Sequence, residues 1–210
     1  MRGRAVALVL TLGLWAGPAG AVASRATGEC SAETAGVSFC LYRSMAPSIG
    51  IVASCREGAG CRVGHYYGNP SDAVWFTPPP GLTALPPPEV TWLTGVLAQV
   101  RFECGHGCSW TYFFEATRQR LFGPLRSVLA ADRRRWLVAV AEPRALVVRQ
   151  IFSGREVARI ERDWAPAPWL GDVITAARFD PDGRLTFTWL RGSGRVPVSE
   201  RVSVPSVPHP

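Results

Sequence analysis

Residues 98–114 read AQVRFECGHGCSWTYFF, and this stretch decides the fold class. Cys104 and Cys108 bracket a loop of two glycines and His106, and both flanks alternate between apolar and polar residues. Opposed residues in an antiparallel pair have a constant sum of residue numbers, so opposing the two cysteines determines every other pair. The resulting pairs are all apolar: Phe102 with Trp110, Val100 with Tyr112, and Ala98 with Phe114. The stretch therefore predicts a β-hairpin closed by a Cys104–Cys108 disulfide.

The opposite face of this predicted hairpin is polar, with one exception. Its residues are Gln99, Arg101, Glu103, Ser109, Thr111 and Phe113. One apolar and one polar face are typical of a half-buried strand pair, so register and amphipathicity agree. Only Phe113 does not fit this pattern.

The same β pattern continues along the chain. Nine strands are predicted after residue 90, at about 96–103, 109–116, 127–131, 136–142, 145–152, 156–161, 174–179, 185–190 and 196–204. The segments Phe152-Ser153-Gly154-Arg155 and Asp180-Pro181-Asp182-Gly183 are typical of tight turns between strands. With 21 Gly and 18 Pro in the chain, no helical pattern is sustained. We expect an all-β, antiparallel meander.

Residues 131–191 resemble a single blade of the bacterial β-propeller repeats. The matching features are Asp132 in a turn, the strand 137–141, the Ser153-Gly154 hairpin and the later hairpin at residues 179–183. The resemblance implies a meander of antiparallel strands. A propeller needs typically four to eight blades, and no second copy is present, so we expect a β-sandwich or a partial barrel.

The N-terminus is typical of an export signal in a bacterium with a GC-rich genome. Arg2 and Arg4 precede a mostly apolar run at residues 5–16, and Ala21-Val22-Ala23 matches a small-x-small cleavage site. We predict cleavage after Ala23 and a periplasmic or secreted protein. No later apolar run reaches eighteen residues, so we expect no stable insertion into a membrane.

The mature part is predicted to have three segments. Residues 24–77 form a cysteine-rich β and loop segment, residues 78–90 a proline-rich connector, and residues 91–206 an antiparallel β domain. All six cysteines follow the signal, which in an oxidising compartment indicates disulfides. Besides Cys104–Cys108, a loop with two glycines favours Cys55–Cys61, and Cys30–Cys40 follows by elimination.

The net charge of +7 comes from arginine alone, because the chain has no lysine. Nucleic-acid recognition would require basic and aromatic residues interleaved on one element. We therefore expect that the protein does not bind nucleic acid. The basic run Arg133-Arg134-Arg135 follows Asp132 and is interpreted as a solvated turn between strands.

No catalytic constellation is recognisable, which favours a binding protein over an enzyme. A periplasmic hydrolase that uses His65 or His106 is one alternative. A metal or redox site at Cys104, His106 and Cys108 is another, although the disulfide explains the same cysteines. We expect no cofactor.

The segment Trp164-Ala165-Pro166-Ala167-Pro168-Trp169 is the best candidate contact surface. Two prolines place both indoles on an irregular loop, where Trp164 and Trp169 would form a platform for a sugar ring or for a partner's apolar anchor. In the alternative, the loop folds back and buries both. The sequence thus predicts an exported binding or interaction protein of the bacterial envelope, with an envelope protein or a glycan as its partner.

Overall fold

The computed structural model describes residues 24–26, 28–31, 37–45, 48–56, 60–76, 87–104 and 108–208. These residues form seventeen β-strands and two short 3-10 turns, and no α-helix occurs among them. The predicted all-β class is therefore confirmed. Within the same ranges there is no helix long and apolar enough to cross a membrane. The proposed signal, residues 1–23, lies outside the described part of the chain.

The strands form four antiparallel sheets, which follow one another along the chain apart from the first strand. Two short strands come first: β1 (Ser24–Arg25) and β2 (Glu29–Cys30). Sheet I joins β2 to β3 (Val37–Arg43), β4 (Ile49–Arg56), β5 (Gly60–Tyr67) and β6 (Val74–Phe76). Sheet II joins β1 to β7 (Glu89–Trp92), β8 (Leu97–Glu103), β9 (Ser109–Glu115) and β10 (Arg120–Arg126).

The second half of the chain supplies the other two sheets. Sheet III contains β11 (Val128–Asp132), β12 (Leu137–Ala141), β13 (Leu146–Gln150) and β14 (Glu156–Ile160). Sheet IV contains β15 (Ile174–Phe179), β16 (Arg184–Arg191) and β17 (Val196–Ser203). All four sheets are open. The residues that resemble a propeller blade run through sheets III and IV.

The sheets pack face to face in the order I, II, III, IV, with a hydrophobic cluster between each neighbouring pair. Ile51 and Val100 belong to the cluster between sheets I and II, and Phe113 and Val138 to the cluster between sheets II and III. The third cluster, between sheets III and IV, includes Phe187. Sheets II and III are thus covered on both faces, which explains continuous apolar runs such as Leu137–Ala141. The outer sheet IV keeps the alternation of a half-buried strand in β16.

The hairpin predicted from residues 98–114 forms with the expected register. Phe102 lies opposite Trp110, Val100 opposite Tyr112, and Ala98 opposite Phe114. The second face is not a solvent face, however. Phe113 and Thr111 are fully buried and Ser109 is nearly so, because sheet III covers them. Phe113, the one apolar residue on the predicted polar face, therefore marks a second buried face of sheet II.

All six cysteines are paired as predicted, including Cys30–Cys40, which followed by elimination. The disulfides are Cys30–Cys40, Cys55–Cys61 and Cys104–Cys108, with Cα–Cα distances of 4.0, 3.9 and 5.1 Å. Cys30 and Cys40 are directly opposed on β2 and β3, and Cys55 and Cys61 on β4 and β5. Each bridge thus pins neighbouring strands of one sheet.

Two strands of sheet II are not predicted by the sequence pattern. In β10, Gly123 and Pro124 resemble strand breakers, and the pairing with β9 shifts register between Phe122 and Leu125. Strand β7 begins at Glu89, inside the proposed connector 78–90, of which residues 78–86 lie outside the described residues. The segments on either side of the connector share the cluster between sheets I and II.

Candidate ligand-binding cavity

A cavity of about 430 Å³ opens where strands β9 and β10 of sheet II meet sheet III and the loop before β15. We call it the indole cavity, defined by Trp110, Arg126, Glu142, Arg149 and Trp169. Its volume is within the range of small-ligand pockets, roughly 300–1,000 Å³. It is therefore large enough to take a ring or a branched apolar group.

Strand register and a 3-10 turn position the two indoles of the cavity. Arg126 on β10 is directly opposed to Trp110 on β9, so their side chains share one face of sheet II. Trp169 precedes the 3-10 turn Leu170–Asp172, and its carbonyl accepts a hydrogen bond from the Asp172 N–H at 3.1 Å. Leu170 is buried in the cluster between sheets III and IV and anchors this loop.

Arg126 lies close to both indoles. Its guanidinium carbon is 3.4 Å from the centre of the Trp169 ring and 5.9 Å from the centre of the Trp110 ring. Cation–π attraction at these distances favours the contact of the guanidinium with Trp169. The Nε atom is buried without a hydrogen-bond acceptor, and no described carboxylate forms an ion pair with Arg126. The cavity therefore contains a cation without a protein counterion.

The other charged groups of the cavity compensate one another. Arg149 is bound to the carboxylate of Glu142 and donates to the Gly154 carbonyl at 3.1 Å. Arg159 reaches the same Glu142 carboxylate at 3.2 Å. Because two guanidinium groups share the Glu142 carboxylate, it is not available to Arg126, and the cavity lining keeps an excess of positive charge.

The two tryptophans of the predicted platform have different environments. The indole N–H of Trp164 donates to the Arg144 carbonyl at 3.0 Å. Its ring centre is 4.9 Å from that of Trp189 and 6.3 Å from that of Phe187, at the edge of the cluster between sheets III and IV. Trp169 is 39% exposed and lines the cavity. Of the two platform tryptophans, only Trp169 therefore lines this cavity.

The proposed catalytic histidine His65 lies in the core. Its ring stacks on Phe114 with ring centres 4.2 Å apart, and the residue is buried between sheets I and II. Burial lowers the pKa of His65 below its ordinary value. The backbone of His65 pairs with Ile51 on β4 and with Val74 on β6, and its ring packs on an apolar neighbour. The other proposed catalytic histidine, His106, lies outside the described residues.

The pKa of His65 predicts how stability depends on pH. Above the ordinary value of 6.5, the folded and unfolded chains both hold a neutral imidazole. As the pH falls below 6.5, the unfolded chain binds a proton that the folded chain takes up only at lower pH, so stability declines. We expect the free energy of unfolding in urea to fall between pH 7 and pH 5, by at most about 1.4 kcal/mol per pH unit.

The variant His65→Phe is the matched control, because phenylalanine keeps the stack on Phe114 and does not titrate. Its stability should be nearly constant over this pH range. A decline as steep as that of the wild type would show that His65 is not responsible.

The proposed metal site is not formed by free thiolates. Cys104 and Cys108 are joined in a disulfide, and His106 between them lies outside the described residues. No group of three or more histidine, cysteine or carboxylate side chains is arranged to hold a metal ion in the described ranges.

Sequence reasoning did not single out Arg126, and it placed Trp110 only on the apolar face of the predicted hairpin. Trp110 is in fact half-buried, and it packs against the cluster between sheets I and II while also lining the cavity. Strand β10 is not predicted by the sequence pattern. Without it the pairing of Arg126 with Trp110 on β9 cannot be deduced.

No protein-family model, no curated protein and no solved structure matches this chain. The geometry of the chain's own residues therefore carries the functional conclusions below.

Proposed function

We propose that this protein is an exported binding module of the bacterial envelope and that the indole cavity receives an apolar group of a partner protein. The signal-like N-terminus and three disulfides support export to an oxidising compartment. The observation that carries the binding function is the partly exposed Trp169, which packs against Arg126 in the lining of a cavity. Rigid, partly exposed tryptophans are typical anchors of binding surfaces.

The lining of the cavity favours an apolar group over a neutral sugar. Val140, Leu170 and Pro143 contribute apolar surface beside the two indoles. A sugar requires several hydrogen-bond partners for its hydroxyl groups, whereas the Glu142 carboxylate is already occupied by Arg149 and Arg159.

Nuclear magnetic resonance of the indole N–H groups tests this function. We expect 4-methylphenol to shift the Trp110 and Trp169 signals with a dissociation constant on the order of 1 mM, as for a small fragment. The variant Trp169→Ala should weaken this binding about tenfold, since it removes one wall of the cavity.

Trp75→Ala is the matched control, because Trp75 is also a half-buried indole under an arginine, Arg62, at 5.0 Å on sheet I. It should leave binding unchanged. If 4-methylphenol leaves both cavity signals in place, the proposed binding site is wrong. If only methyl glucoside shifts them, the partner is a glycan and not an apolar group.

A further inference from the structure

Arg126 is partly exposed and has no carboxylate partner among the described residues, and this inference rests on the proposed function. Its Nε–H is buried and donates no hydrogen bond. A buried donor without an acceptor is unfavourable, and such groups in native proteins call for a specific explanation. Among the described residues, Glu142 contributes the only carboxylate of the cavity lining, and Arg149 and Arg159 hold it. An anion from outside the chain would complete the site.

The contact with Trp169 limits how an anion can approach Arg126. The guanidinium carbon lies over the Trp169 ring at 3.4 Å from its centre and 5.9 Å from the centre of the Trp110 ring. The hydrogen-bond donors of a guanidinium lie in its plane, so they remain directed along the edge of the group. Their fork geometry matches the two oxygens of a carboxylate.

The surroundings of Arg126 favour an anion of single charge joined to an apolar body. A doubly charged phosphate requires several donors, but Arg149 is already bound to Glu142 and to the Gly154 carbonyl. The apolar part of the lining includes Leu125, Pro143 and the almost fully buried Val140 and Leu170. In a protein partner, an apolar side chain and a carboxylate belong to the same residue only at the C-terminus of the chain.

We propose that the indole cavity binds the C-terminus of a peptide that ends in an apolar residue, with the terminal carboxylate on Arg126 and the side chain against Val140 and Leu170. Charge complementarity and the apolar lining together select this occupant. The recognition combines a charge-assisted hydrogen bond with burial of one apolar side chain.

The experiment compares N-acetyl-Gly-Leu as the free acid with its C-terminal amide, by the indole N–H signals of the full mature chain. The acid should bind about tenfold more tightly than the amide, because a hydrogen bond to a charged group contributes about 1.5 kcal/mol or more. In Arg126→Gln this preference for the acid should disappear. In Arg62→Gln it should persist, because Arg62 stacks on Trp75 outside the cavity.

Three outcomes overturn the inference. Equal affinity of acid and amide would show that no carboxylate is recognised, although 4-methylphenol would still bind and the proposed function would stand. A preference for the acid that survives in Arg126→Gln would place the recognition elsewhere. If 4-methylpentanoate binds as tightly as the peptide acid, the ligand is a small hydrophobic acid and not a chain terminus. Failure of every compound to shift the Trp169 signal would instead contradict the proposed function.

Discussion

Asp132→Ala is expected to lower the free energy of unfolding by about 3 kcal/mol, measured by urea denaturation. The Asp132 carboxylate accepts hydrogen bonds from the Arg134 N–H at 2.8 Å and from the Arg135 N–H at 3.2 Å, and it binds the Arg135 guanidinium at 2.6 Å. Without it, two turn donors and a largely buried cation lose their acceptor. Removal of one partner of a buried ion pair costs about 3–5 kcal/mol, and we expect the lower end because Arg135 is partly solvated.

The same guanidinium links sheet III to sheet IV and to the C-terminal segment. Arg135 donates to the Gly183 carbonyl at 2.6 Å and to the Val204 carbonyl at 3.2 Å. Loss of Asp132 releases the arginine that makes these contacts, so the effect extends beyond one turn. The urea transition should remain cooperative, with its midpoint lowered.

Asp182→Ala is the matched control for this prediction. Asp182 also accepts from an arginine, Arg201, at 2.8 Å, but both side chains are about half exposed on the outer face of sheet IV. Exposed ion pairs contribute about 0–1 kcal/mol, so the expected effect is small. If the two variants are equally stable, the Asp132 network does not hold sheets III and IV together.

The turn at Asp132 shows where sequence reasoning succeeds and where it ends. The run Asp132-Arg133-Arg134-Arg135 predicts a turn between strands, and the turn connects β11 to β12 as expected. It does not predict that Arg135 is largely buried, because the acceptors are 48 and 69 residues away in the chain. A turn can be predicted from a few consecutive residues. A hydrogen-bond acceptor that belongs to another sheet cannot.

The same distinction applies to the hairpin and to the cavity. The register of Cys104 and Cys108 follows from a few adjacent residues, and all strand pairs of that hairpin agree with it. The indole cavity requires β9, β10 and the loop at Trp169 to come together, which depends on the stacking order of the sheets. Two prolines between Trp164 and Trp169 do predict an irregular loop. They do not predict that Trp164 packs on Trp189 while Trp169 meets Arg126.

Phe113→Ala is expected to lower the free energy of unfolding by about 3–5 kcal/mol, the usual cost of truncating a buried phenylalanine. Phe113 is fully buried between sheets II and III, in the cluster that includes Leu97, Val138 and Ile151. Alanine leaves a void that two sheets already packed on their other faces cannot close without losing contacts there.

Phe39→Ala provides the comparison, because Phe39 is 47% exposed on β3 and the same truncation there should cost less than about 1 kcal/mol. The ratio of the two effects measures how tightly sheet II packs on sheet III. If Phe113→Ala costs no more than Phe39→Ala, Phe113 is not in a closed core, and the polar face on which the sequence places it would be solvent-exposed after all. A large difference requires the face of sheet II that carries Phe113 to be buried against sheet III, although the sequence pattern assigns this face to solvent.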